Sequence, residues 1–367
     1  MTLERLRLVD FRNFRELEVD FAGRSAAIWG PNGRGKTNLL ESIFVLGTTR
    51  SHRTRRDAEM VRFGARAFAV SGEFRGGEGT RTTLAISFDE ENGKRGSVDR
   101  KEAERLSSMI GRCGVVCVAP EDVEITAGEP EGRRRYIDLT LCSLSARYLR
   151  SLQEYGRAHR QRARLLRDGL AGSGAAHLDT WDRQLASWSI PLFAMREEAI
   201  GTIGPIAEEA YCDLGGGEKL AIVYVPGAEE AEMRSEEAFL AALRERRAAD
   251  LRTGRTSIGP HRDDVSILLD GKPIRTFGSR GQHRTAVLAL KIAAARLIKA
   301  RTREEPILLL DDVFTELDES RSEALAERLA AEGQVFATGT DREALARHVR
   351  GADRFALEKE GALVLER

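Results

Sequence analysis

Residues Gly30-Pro31-Asn32-Gly33-Arg34-Gly35-Lys36-Thr37 form a complete G-x-x-x-x-G-K-S/T phosphate-binding loop. The glycines let backbone N–H groups turn inward around a polyphosphate. Lys36 supplies a point charge for the β- and γ-phosphates, and the Thr37 hydroxyl can hold Mg²⁺. A second set of chemically capable residues lies far downstream, where the apolar run Pro306 to Leu310 ends in Asp311 and Asp312. A buried strand that ends in two carboxylates can offer one to a metal ion and use the other to orient water. Just before it, Thr276-Phe277-Gly278-Ser279-Arg280-Gly281-Gln282 is a polar turn followed by the helical stretch Arg284 to Ala300. Ser279 is the expected helix N-cap, and N–H groups near it are free for an anion. Thr315-Glu316-Leu317-Asp318 follows the acids.

These groups need rigid elements to bring them together. Ala26 to Trp29 reads as a short strand feeding the phosphate loop, and Asn38 to Leu46 as the helix leaving it. Met1 to Asp10 alternates as a half-buried strand, and Phe68 to Phe74 and Thr82 to Phe88 alternate around Gly76-Gly77. From Tyr136 the period changes: Leu141, Leu144, Tyr148, Leu152 and Tyr155 recur at helical spacing. Trp181, Leu185, Trp188 and Leu192 do so after the break Gly169 to Gly174. This aromatic stripe is expected to be core rather than a base-stacking platform. The chain therefore divides into a first lobe over 1–135, a mainly helical arm over 136–250, and a second lobe over 251–367 with strands at Val265, Ile307, Val335 and Phe355. Leu220 to Val225 is expected as a strand returning toward the head.

Composition narrows the setting. With 367 residues, 41% of them hydrophobic, a sizeable core is expected. No leader-like segment or run of roughly 20 apolar residues is visible, so a cytoplasmic protein without membrane contact is expected. Cys113, Cys117, Cys142 and Cys212 lack metal-ligand spacing, and core roles are expected for Cys113 and Cys117. The formal net charge is zero, yet Arg is clustered. Arg53, Arg55 and Arg56 form one group, Arg133, Arg134 and Arg135 a second, and Arg157, Arg160, Arg162 and Arg164 a third. Such clusters suit nucleic-acid phosphates, although a solvated face is their commoner meaning.

The order of phosphate loop, Ser-Arg-Gly-Gln turn, paired acids and Glu-Leu-Asp resembles the ABC-type ATPase head. The opening Leu6 to Phe14 (LRLVDFRNF), Asn32 and Asn38, Gly47 to Thr54, Pro120-Glu121-Asp122, Gln153 to Leu166 and Gly259-Pro260-His261-Arg262-Asp263-Asp264 narrow this. Together they resemble the RecF family of recombination mediators, in the SMC-like group, across essentially the whole chain. The resemblance implies an α/β fold, an SMC-like P-loop ATPase head with a compact helical arm insertion. It also implies that ATP and Mg²⁺ bind, with Thr37 and Asp311 on the metal, Lys36 and Asp312 catalytic, and Glu121 or Asp122 replacing a glutamine of the metal shell. Ser279, Arg280, Gly281 and Gln282 would close on the phosphate loop of a second copy. Thr338 stands where transport ATPases place a switch histidine, as a γ-phosphate sensor.

The resemblance further implies a weak, DNA-stimulated ATPase whose ATP-dependent homodimer clamps double-stranded DNA near single-strand gaps. With RecR and RecO it would promote RecA loading, supporting gap repair, replication restart and SOS induction near the nucleoid. The alternative is the ATPase subunit of a transport or nuclease complex. The long helical insert and absent histidine disfavour transport, and no spare acidic cluster supports a nuclease.

Overall fold

Alternating apolar and charged residues make Thr2–Phe11 a strand whose Leu3, Leu6, Leu8 and Phe11 are fully buried. The three-residue step from Leu3 to Leu6 coincides with a register shift between Leu3 and Arg5, so a bulge keeps both side chains on the core face. In this computed structural model, which describes residues 1–168, 174–315, 317–358 and 361–366, the strand belongs to a six-stranded antiparallel sheet. The sheet runs in the order Phe14–Asp20, Thr2–Phe11, Ala67–Arg75, Arg81–Asp89, Gly93–Val98 and Lys101–Glu102.

A second six-stranded sheet has the order Leu363–Glu366, Asp353–Leu357, Ala26–Trp29, Val335–Gly339, Ile307–Leu310 and Val115–Val118. All its pairings are parallel except the one to Leu363–Glu366. Val335–Gly339, Ile307–Leu310 and Val115–Val118 are buried along their whole length, as parallel strands covered on both faces must be. Cys117 in the strand Val115–Val118 and Cys113 just before it are buried, and burial raises both thiol pKa values, that of Cys113 to about 12. The helix Lys36–Thr48 packs against both sheets. At its end Gly47 lets it approach, because a Cβ there would lie 2.5 Å from Val115 Cγ2.

The chain divides into two units, and the division differs from the expected one. The head unit holds Met1–Val123, Ile206–Lys219 and Ser279–Arg367; the helical unit holds Glu124–Pro205 and Leu220–Gly278. The helical unit begins before Tyr136, because the helix Pro130–Leu144 already carries its packing face. Helices Ala146–Asp168 and Gly174–Asp213 follow, the latter continuing beyond Met195 as expected and passing from one unit to the other at Pro205. The break at Gly169 to Ser173 lies outside the described residues. Leu220–Val225 and Asp264–Leu269 do not return to the head: they pair with each other, and Asp264–Leu269 pairs on its other side with Lys272–Pro273, in a three-stranded antiparallel sheet of the helical unit. Tyr148, Tyr155, Leu185 and Leu192 of the aromatic stripe are buried there, as core residues.

Candidate nucleotide site

Three adjacent parallel strands aim their C-terminal ends at one place. Ala26–Trp29 leads into the phosphate loop, Val335–Gly339 carries Thr338, and Ile307–Leu310 leads into Asp311 and Asp312. Thr37 and Asp311, 274 residues apart, meet directly, with the Thr37 hydroxyl donating to Asp311 Oδ2 at 2.7 Å. The opposite oxygen of Asp311 accepts from the Thr338 hydroxyl at 2.8 Å. Burial raises the pKa of Asp311 against the lowering effect of these two hydroxyls, so positive charge at this spot would favour its ionised form. A hydroxyl and a carboxylate are the hard oxygen donors that Mg²⁺ prefers.

Asp312 is held in a different way. Its φ is 52°, a left-handed conformation that Asp adopts more readily than most residues, and its N–H donates to Thr338 Oγ1 at 3.1 Å. Its Oδ1 is buried without a hydrogen-bond partner among the described residues. A buried carboxylate oxygen needs a donor, and a water or ligand at the strand ends is the available source. Lys36, only 4% exposed, donates to Gly30 O at 2.9 Å and to Asn32 Oδ1 at 3.3 Å. Its partners are neutral oxygens, so the ammonium charge is left for an anion. Gly35 has φ 106°, and Asn13 lies so close that any Cβ there would clash at 2.5 Å. The loop thus fits a Mg²⁺-bound polyphosphate.

The Ser279 turn forms as expected. Ser279 caps the helix Arg280–Thr302, with its Oγ accepting from Gln282 N at 3.3 Å and its own N–H donating to Gln282 Oε1 at 2.7 Å. This reciprocal box occupies the Ser279 and Gln282 N–H groups, so the anion donors that remain are those of Arg280 and Gly281 and the Ser279 hydroxyl proton. Among the described residues, no hydrogen bond or ion pair joins residues 279–282 to the phosphate loop. Asp318 caps the next helix through Arg321 N, while Glu316 lies outside the described residues.

Several expected roles change. Thr338, expected as a γ-phosphate sensor, is fully buried, and its hydroxyl is engaged with both acids, donating to Asp311 Oδ1 and accepting from Asp312 N. Asp122 is committed to Lys291 at 2.7 Å and to Ala119 N, which leaves exposed Glu121 of the two acids considered for the metal shell. Arg133 is not available to nucleic acid: it is 5% exposed, forks onto both oxygens of Asp264, and donates to Gly128 O. Arg134 is half-buried and donates to Asp263 O at 2.6 Å, whereas Arg135 is exposed. Arg162 is fully buried between Asp182 and Asp250. Of the first cluster, Arg53, Arg55 and Arg56 are exposed at the surface of the head unit.

The sequence marks Arg12, Asn13, Asn38 and Ser51 through the resemblance but assigns them no contacts, and it does not mark Glu41. Asn13 reaches from the first sheet to Arg34 O and accepts from Asn38, which in turn accepts from Arg53. Glu41, fully buried in the phosphate-loop helix, accepts a fork from Arg12 at 2.8 and 2.6 Å and a bond from Ser51. Those contacts outweigh burial and lower its pKa. The signal was a charged residue on the apolar face of a helix.

Residues 2–356 match the family profile of the RecF/RecN/SMC N terminal domain. The DNA replication and repair protein RecF of Moorella thermoacetica is 37% identical over 342 residues, covering 93% of this chain and 90% of that protein. The chain belongs to the RecF family. RecF of Lactobacillus johnsonii is 35% identical over 353 residues, covering 94% of each chain. A solved structure of the recombination mediator protein RecF-ATP in the RecFOR pathway superposes with a TM-score of 0.91 at 28% identity, covering 100% of this chain and 98% of that one. The architecture is accordingly the SMC-like α/β ATPase head expected from the sequence, in a DNA replication and repair protein. The match along the whole chain leaves the transport and nuclease readings without support. Among the described residues no helix is long and apolar enough to cross a membrane.

Proposed function

We propose that this RecF-family chain is an ATP-dependent recombination mediator whose homodimer grips double-stranded DNA beside single-strand gaps. In this reading Lys36 and the loop N–H groups hold the triphosphate, and Thr37 and Asp311 hold Mg²⁺, which supplies charge neutralisation to phosphoryl transfer. Asp312 accepts a hydrogen bond from the attacking water, and Thr338 fixes both acids. Ser279, Arg280 and Gly281 of a second copy complete the site, so two identical composite sites form across an isologous interface. Hydrolysis is slow, stimulated by DNA, and times release of the clamp. RecR, RecO and RecA are the expected partners, and the cytoplasmic nucleoid the expected place.

The observation that carries the reading is the convergence of Thr37, Asp311 and Asp312 at adjacent strand ends, with one Asp312 oxygen left unpaired. Asp312→Asn tests it, since it keeps the size of the side chain and removes its charge. Nucleotide binding and ATP-dependent dimerisation should survive, while phosphate release with duplex DNA falls about a hundredfold or more. Turnover at the parental rate would remove Asp312 from the reaction, and failure to dimerise with ATP would remove the clamp.

A further inference from the structure

The Ser279 turn is held from outside by a carboxylate that no motif contains. Gln282 Nε2 donates to Glu218 Oε1 at 2.5 Å, and Tyr211 OH donates to Glu218 Oε2 at 3.0 Å. All three residues belong to the head unit. Tyr211 is 1% exposed near the C-terminal end of the helix Gly174–Asp213, with Gly216 close against its ring. Glu218 stands just before the strand Leu220–Val225. The bonds from Gln282 and Tyr211 lower the carboxyl pKa of Glu218, which keeps it ionised at neutral pH.

An ionised carboxylate is only an acceptor, whereas the amide of Gln282 carries a donor at one end and an acceptor at the other. Glu218 therefore dictates which end of Gln282 faces it. With the NH₂ group turned to Glu218, the amide oxygen must face the backbone N–H of Ser279, as observed at 2.7 Å. That contact is half of the capping box, and the other half leaves the Ser279 hydroxyl proton free to point outward. Without Glu218 the amide can turn over, and its NH₂ group would then oppose the Ser279 N–H, donor against donor.

We infer that Glu218 is a positioning residue for the turn that receives the partner's triphosphate, with Tyr211 holding Glu218 in place. The inference rests on the composite-site reading above. Glu218 touches no nucleotide itself, and a carboxylate near an incoming triphosphate is electrostatically unfavourable. Its presence is accounted for by the orientation it imposes on Gln282.

The test uses the full-length chain and four variants, Glu218→Ala, Glu218→Gln, Tyr211→Phe and Ser279→Arg. Affinity for a fluorescent ATP analogue is measured at monomer concentrations, dimerisation with ATP by sedimentation velocity, and phosphate release as separate kcat and KM. Glu218→Ala should leave monomer affinity and thermal midpoint unchanged while weakening the ATP-dependent dimer by about three- to tenfold and lowering kcat, the range of one ordinary hydrogen bond, since Glu218 acts through Gln282. Glu218→Gln, which still offers an acceptor oxygen, should recover most of the loss, and Tyr211→Phe should lose less than Glu218→Ala. A Glu218→Ala protein that dimerises at parental strength overturns the inference, as does one whose monomer affinity falls equally. Ser279→Arg separates the two levels: parental dimerisation of that variant would overturn the composite site and Glu218's role together, whereas a block confined to it leaves the composite site standing and removes Glu218 alone.

Discussion

The nucleotide loop and the core of the helical unit use the same residue types to opposite ends. In the helical unit Arg196 donates to Tyr148, Pro260 O, Asp263 and Asp138, and Asp263 accepts in turn from Arg196, Tyr224 and Gly227 N. Each charge of this network is answered by another within the unit. In the head, Lys36 is surrounded by neutral oxygens and Asp312 keeps a buried oxygen with no donor. A structural charge is satisfied at home, while a ligand-binding charge is held in position and left partly unsatisfied. The Gly259 to Asp264 segment, as distinctive in the sequence as the phosphate loop, belongs to the first kind.

The largest effect expected from this contrast is on stability. Arg196→Ala leaves Asp138 and Asp263 without their shared cation, and removing one partner of a buried pair costs about 3–5 kcal/mol. Chemical denaturation followed by tryptophan fluorescence measures it, since Trp181 and Trp188 lie on the same helix as Arg196. Lys36→Ala should cost under about 1 kcal/mol in the same assay, because its bonds go to neutral oxygens. It should instead reduce ATP affinity by about a hundredfold, close to 3 kcal/mol, measured by titration with a fluorescent analogue. Equal stability losses in the two variants would erase the distinction.

A smaller effect comes from protons. In the helical unit His261 sits between Tyr155 OH at 2.5 Å and Thr256 O at 3.0 Å, against His159. Burial, with the nearby His159 and arginine charges, pulls its pKa from 6.5 down to about 3. A histidine kept neutral by folding takes up its proton in the unfolded chain first. The unfolded state therefore binds more protons between about pH 3 and 6.5, and stability falls as pH drops through that window. The loss is at most about 1.4 kcal/mol per pH unit for each such histidine. His261→Gln, compared with the parent by denaturation at pH 7 and pH 5, should show a shallower dependence. An unchanged slope would mean that His261 charges without cost.

Legibility in the sequence followed the range of the interaction. The phosphate loop, the Ser279 capping box and the paired acids are local patterns, and each lies where its spacing puts it. Strand and helix membership was also readable, but the partner of a strand was not: nothing within Val265 to Leu269 says that it pairs with Leu220–Val225 instead of joining the head sheet. The same holds for charges. Arg133 and Arg135 are two residues apart on one helix, yet one is buried because Asp264 lies opposite it, 131 residues away, and the other is exposed. Thr338 can be placed at its strand end from the sequence, but its contacts with both acids cannot, because they arise only when two strands become adjacent.

That lesson sets the finest test of the comparison, which concerns arginine alone. Arg55 and Arg56 are exposed on the head unit and belong to the proposed DNA-contacting set, whereas Arg133 is a strut spent on Asp264. An arginine that neutralises a DNA phosphate releases counterions, so its loss should reduce the slope of log affinity against log salt by about 0.9. The Arg55→Ala, Arg56→Ala double variant should thus weaken duplex binding evenly across sequences and flatten the slope by nearly two units, with a smaller change in denaturation midpoint than Arg133→Ala. Arg133→Ala should do the reverse: it strips Asp264 of its fork and destabilises the helical unit, but folded protein should bind duplex DNA with the parental slope. Measuring both by fluorescence anisotropy across a salt series, at a temperature where each variant is folded, separates contact from support. A parental slope for the double variant would return Arg55 and Arg56 to an ordinary solvated surface, and a flattened slope for Arg133→Ala would show that a buried, fully paired arginine can still govern phosphate binding.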